Sequence, residues 1–219
     1  MKTKKIIAVV MTASMLMSLA ACSFGNKTKK FVNYAEDLGY EEVESKEYTK
    51  LDKKDGDLED GCYSVATNKD DIKKLLKKVD ADVKADDLTA LFFASQEEEN
   101  EEKDEFNSFG FFVMEFKNED DAEEFFEDYS DEFDEQFDRL ESYSSYGDME
   151  QDDDDNFYMF AVDVDIYGSN MSMRTAIYLD GKEVICVISK GYYSDADDYT
   201  DLLDDFCKEF DLESPSDLL

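Results

Sequence analysis

Apolar residues recur along this chain in two spacings, and each spacing predicts a type of secondary structure. Phe31, Tyr34, Ala35 and Leu38 fall at i, i+3, i+4 and i+7, which predicts a short helix closed by Gly39 at its C-cap. Cys62 to Thr67 reads as a strand, and Asn68 then caps a helix with the stripe Ile72, Leu75, Leu76 and Val79. Ala90 to Ser95 and Phe109 to Phe116 read as aromatic-rich strands joined by an acidic loop. The clearest helix is Asp120 to Leu140, whose stripe is Ala122, Phe125, Phe126, Tyr129, Phe133, Phe137 and Leu140. Three strands follow, Phe157 to Tyr167, Met171 to Leu179 and Glu183 to Lys190. A last helix, Asp195 to Phe210, carries Tyr199, Leu202, Leu203, Phe206 and Phe210.

Turn chemistry places the three late strands in register. Gly168-Ser169 suits a two-residue II′ turn and Asp180-Gly181 a I′ turn. These turns pair Ile166 with Met171, Val164 with Met173, Phe160 with Ile177, and Ile177 with Val184, on a face shared with Cys186 and Ile188. The opposite face sets Asp163 against Arg174. It also holds Met159, Ala161, Ala176, Tyr178, Ile185 and Val187, too apolar for a solvated face. We therefore expect either helical cover there or a contact surface centred on Met159, Tyr178, Ile185 and Val187.

The elements predict an α+β fold: an antiparallel sheet with helices mainly on one face. From Cys62 to Tyr167 the order strand, helix, strand, strand, helix, strand matches a ferredoxin-like split unit. Two helix starts look alike, Asn68 to Leu76 and Asn118 to Phe126, a likeness that Asn caps and first-turn acids account for without duplication. Residues 31–212 read as a single domain and 213–219 as a frayed tail.

Charge narrows the partners. The 219 residues carry 58 acids against 23 basic residues, with no His, for a formal charge of −35. Such a body repels phosphates, which excludes nucleic acid as a partner. An apolar content of 42% nevertheless marks a globular chain.

The N-terminus changes the setting. Lys2, Lys4 and Lys5 precede an uncharged stretch, Ile6 to Ala21, which is short for a membrane span. It ends in Leu19-Ala20-Ala21-Cys22, which resembles the lipobox of bacterial lipoprotein precursors. The resemblance implies a signal peptide over 1–21 and a diacylglyceryl group on Cys22, the mature N-terminus. A basic tether with Lys27, Lys29 and Lys30 over 22–30 suits an anionic leaflet. The expected location is the extracytoplasmic face of the bacterial cell membrane, with lipid as the membrane contact.

Few residues point to chemistry. Beyond Cys22 stand Cys62, Cys186 and Cys207. Cys186 and Cys207 lie level along a strand and the helix that returns over it, so they are either a disulfide or two buried thiols. The acidic runs Glu97 to Glu105 and Asp148 to Asp155 do not fit a calcium loop, which leaves diffuse Ca²⁺ association and no defined metal or cofactor. G-x-S-x-G, P-loop, dinucleotide and HExxH motifs are absent, and Ser189 and Lys190 point to opposite faces of a strand. The expectation is a non-enzymatic envelope binding or interaction protein for an unknown protein or small ligand. The alternative is a low-affinity divalent-cation binder or wall-spacing acidic lipoprotein, with a hydrolase third.

Overall fold

The computed structural model describes residues 26–51, 57–79, 83–100, 105–143, 146–166, 169–192 and 195–219. The described elements begin with α1 (Asn26–Asp37), β1 (Glu41–Glu42), α2 (Ser45–Tyr48), β2 (Cys62–Ala66) and α3 (Lys69–Val79). They continue through β3 (Leu88–Asn100), β4 (Glu105–Phe116), α4 (Glu119–Tyr143) and β5 (Tyr146–Asp154). They end with β6 (Phe157–Ile166), β7 (Ser169–Asp180), β8 (Glu183–Tyr192), α5 (Ala196–Phe210) and a 3₁₀ turn, Pro215–Leu218. The strands form one eight-stranded sheet in the order β1-β2-β3-β4-β8-β7-β6-β5. Every neighbouring pair is antiparallel except β1 with β2, so the fold is α+β as expected.

Local rules explain the helix ends. Asn68 Oδ1 accepts from the Asp71 backbone N–H at 3.0 Å, and Asn118 Oδ1 accepts from that of Asp121 at 2.9 Å. In both caps the Asn amide donates back to the same Asp carboxylate. The two starts thus share one cap, built from the same atoms. Gly39, at φ 84°, closes α1 in a Schellman motif: Tyr40 N–H donates to the Ala35 carbonyl and Gly39 N–H to that of Glu36, both at 2.9 Å. α1 begins at Asn26, so Lys27, Lys29 and Lys30 fall in its first turns.

Both faces of the sheet are buried. On the first, Leu91, Phe112, Met114, Phe160, Ile177 and Cys186 pack beneath α3, α4 and Tyr48 of α2. On the second, Phe92, Phe111, Val113, Met159, Ala176, Tyr178, Ile185 and Val187 pack beneath α1 and α5. Helical cover is heavier on the first face, and the second carries more than the sequence reading assigned it. Aromatic-rich strands such as Phe109–Phe116 follow directly, because alternate side chains enter different cores.

α4 is long because of where it must go. It leaves the C-terminal end of β4, a central strand, and delivers the chain to the start of β5, the far edge strand, with β8, β7 and β6 in between. About ten residues of strand and four strand spacings make a diagonal of roughly 40 Å. A 25-residue helix covers ~37 Å. Its rings step across accordingly: Phe125 lies 5.6 Å from Phe116, Tyr129 5.8 Å from Phe112, and Phe133 and Phe137 lie 6.0 and 5.8 Å from Phe160.

Several expectations need correction. The split ferredoxin-like arrangement is not formed, although the chain order is. A split unit separates the two strands joined by a helix, whereas β2 and β3 pair side by side and antiparallel. The late turns are displaced: Ile166 pairs with Ser169 and Asp180 with Glu183, so Val164 meets Met171 and Ile177 meets Cys186. Gly181, at φ 62°, takes the first turn position, which moves the register by two residues. A shift of two keeps every side chain on its face, so the core pattern survives. Arg174 still binds Asp163, now diagonally, with both Nη atoms on the carboxylate at 2.9 and 2.8 Å.

The acidic runs are also more ordered than expected. Glu97–Asn100 continue β3 and pair with Glu105–Ser108. Most of Asp148–Asp155 forms β5, an edge strand whose acids are exposed while Met149 packs against the first core. The tail is docked rather than frayed: Tyr178 Oη donates to the Glu213 carbonyl, Ser214 Oγ donates to Asp204, and Pro215 is buried.

Two predictions follow from these elements. α5 ends with Asp211 in the left-handed region, φ 58° and ψ 44°, where Leu212 N–H donates to the Cys207 carbonyl at 2.9 Å. Glycine adopts this conformation freely, and an acid opposes the helix dipole at this end. Asp211→Gly should therefore raise unfolding free energy by about 0.5–1 kcal/mol in a urea titration; a decrease would show that the carboxylate makes a stabilising contact. The exposed side of α4 has twelve acids from Glu119 to Asp138 and no Lys or Arg between them. Spacings such as Glu123 with Glu127 are unfavourable by roughly 0.2–0.5 kcal/mol each. The melting temperature should rise between ~0.01 and ~0.15 M NaCl as the screening length falls from ~30 to ~8 Å. A flat profile would contradict net repulsion.

Candidate functional site

The first face is not covered everywhere. α2 and α3 protect the β2–β3 side, and α4 slants away from β4 towards β6. Between them lies a cleft of about 240 Å³ over β3, β4 and β8. Its floor is a register row in which Ser95 pairs with Gly110 and Gly110 with Ile188. Phe93 and Phe112 bound it on one side of this row, while Glu97 and Ser108 bound it on the other.

Tyr48 forms the wall. Its hydroxyl hydrogen-bonds Ser95 Oγ at 2.8 Å, and its ring meets Phe93 at 5.2 Å and 64°. The Phe93 ring lies 6.3 Å from Phe112, tilted by only 19°. Burial holds the Tyr48 phenol well above its ordinary pKa; the nearby Cys62, Glu97 and Tyr40 groups add to this, and the Ser95 hydrogen bond works against it. The Glu97 backbone N–H donates to the Leu58 carbonyl at 3.1 Å, tying residues 57–60 to β3 at the rim.

A second depression, of about 360 Å³, is lined by Gly147, Asp163, Asp165, Asn170 and Ala196. Asp163 is committed there to the buried Arg174, whose Nη1 also donates to the Val162 and Met173 carbonyls. Burial raises the Asp163 pKa, but hydrogen bonds from Arg174 and Ser172 and the Arg174 charge outweigh it, so the carboxyl sits below its usual range. This pair pins β6 to β7.

The residues singled out from sequence are placed as follows. Met159, Tyr178, Ile185 and Val187 are buried in the second core under α1 and α5, so they are interior and not a surface open to a partner. Cys186 and Cys207 are free thiols on opposite faces of the sheet, Cys186 in the first core and Cys207 in the second. Strand alternation is the reason: Ile185 and Val187 face α5, so Cys186 faces away from it. Burial pushes the Cys186 thiol up strongly, and the Cys207 thiol is raised to about 11, mainly by burial. Ser189 donates to the Tyr199 carbonyl at 2.6 Å on the second face, whereas Lys190 Nζ lies 4.8 Å over the Tyr192 ring. Among the described residues, no group of three or more acids and thiols is placed to hold a metal ion. No helix among them is long and apolar enough to cross a membrane. Cys22 and the lipobox lie outside the described residues.

Sequence reasoning missed Tyr48, Ser95 and Gly110 as a group. One signal was present: a glycine inside the apolar strand Phe109–Phe116, which marks close backbone approach or open space. No protein-family model matches the chain, and no curated protein is significantly similar to it.

The thiol placement is directly testable. Denatured without reductant, Cys62, Cys186 and Cys207 should each take up one alkylating group, while the native protein should react at least about a hundredfold more slowly, because the buried thiols must first be exposed. A Cys186–Cys207 cross-link in the intact mass would overturn the placement.

Proposed function

We propose that this chain is a lipid-anchored, extracytoplasmic binding protein of the bacterial envelope, with no catalytic role. The observation that carries this reading is Leu19-Ala20-Ala21-Cys22 at the end of an uncharged stretch that follows three lysines. Two acyl chains on Cys22 hold a protein at a membrane, at about 0.8 kcal/mol per buried CH₂. The absence of a recognisable nucleophile, base and stabiliser in the sequence supports binding over catalysis. The cleft beneath Tyr48 is the place for a small ligand on this reading, being concave, largely aromatic and edged by a few polar groups.

The test is fractionation of Cys22→Ala expressed in a bacterial host. The wild-type chain should be processed and recovered with membranes, and the variant should accumulate as unprocessed precursor or soluble protein. A variant recovered as fully processed membrane protein would overturn the proposal.

A further inference from the structure

We propose that the cleft beneath Tyr48 binds a small organic cation with an apolar body, an alkylated ammonium group. The inference deepens the binding-protein reading and rests on it. Three rings shape the space, Tyr48 standing at 64° to Phe93 and Phe112 lying nearly parallel to Phe93. A cation within about 6 Å of such rings is attracted by their negative faces, the more so when shielded from water. The volume of about 240 Å³ exceeds the ~150 Å³ that holds a benzene ring, so a compact ammonium ion fits.

Charge selects the class. Glu97 stands at the rim beside the Tyr48 phenol, and among the described residues no Lys or Arg lines the cleft. A formal charge of −35 raises the local concentration of cations and repels anions. A metal ion is disfavoured on other grounds: a hard divalent cation favours several carboxylates, and among the described residues no three of Asp, Glu, His or Cys are grouped to hold one.

Gly110 is the independent observation. It lies inside a central strand, where glycine is unfavourable, and its backbone does not need the left-handed region. A side chain there would share the face of Ser108 and Phe112 and stand in the cleft. The nearest neighbours of a Cβ there would be the Ala94 carbonyl oxygen, a tight 3.2 Å, and Ser95 atoms at 3.5 and 3.7 Å. Close backbone approach and the open cleft above thus both favour a residue without a side chain.

Calorimetric titration of the full chain, in a sugar-headgroup detergent, tests this with choline chloride against 3,3-dimethylbutan-1-ol, its uncharged carbon counterpart. Sodium chloride at matched ionic strength is the control. Choline should bind saturably at one site, and the alcohol about tenfold more weakly or worse. Glu97→Gln should weaken choline about tenfold and leave the alcohol unchanged. Gly110→Val should abolish both; should it fail to fold, Ser108→Phe provides the same obstruction from the rim. Equal affinity for the two probes, or no saturable heat at tens of millimolar choline, overturns the cation proposal. Either result leaves the anchoring of Cys22 untouched, and a failure of anchoring leaves the titration standing.

Discussion

Ring burial against like-charge repulsion is the balance on which this structure depends. A formal charge of −35 spread over a small domain pushes its surface apart. The opposing force is a sheet buried on both faces and stitched by aromatic contacts. In the second core Phe31 stacks on Phe210 at 4.2 Å while Phe206 lies 4.7 Å from Phe111. In the first core, Phe125, Tyr129 and Phe133 run down α4 at spacings near 5 Å. Large buried side chains contribute ~1.5–3 kcal/mol each, several times the cost of one exposed like-charge pair. This is why α4 tolerates an almost wholly acidic outer side.

The same charge also guards the sheet. Its two edges are β1, made of Glu41 and Glu42, and β5, which exposes Asp148, Glu150, Asp152 and Asp154. An unpaired strand edge is a template for another chain, and carboxylates along it repel a second copy. Acids that look in sequence like a solvated run thus have a structural role along the edges of the sheet.

Much of the fold was legible because its rules are local. Helices with Asn68 and Asn118 as caps, the stripe from Ala122 to Leu140, and the antiparallel hairpins all follow from periodicity and turn residues. Most of the misses are set by neighbours distant in sequence; the two-residue register shift is the exception, set locally by Gly181 in the first turn position. β5 was hidden because Tyr146 and Met149 are the only apolar residues of an otherwise acidic edge strand. The choice between a Cys186–Cys207 disulfide and two buried thiols stayed open because level position along a strand does not say which helix covers which face; the structure has the two thiols. The cleft was illegible because it is defined by absence: α4 slants away and leaves Ser95, Gly110 and Ile188 uncovered.

The long diagonal of α4 also dictates the order in which the chain can assemble. β2, β3 and β4 make one meander and β5 to β8 another, each built from neighbours in sequence. The two meet only where β4 pairs with β8, with Phe112 opposite Cys186. Closing that gap of roughly seventy residues costs about 2.5 kcal/mol more entropy than closing a four-residue hairpin. The penalty is recovered when α4 lays its rings over both halves at once. Nucleation can therefore begin separately in each meander, while the seam between β4 and β8 and the contact of α1 with α5 supply the distant contacts that raise the contact order and slow folding.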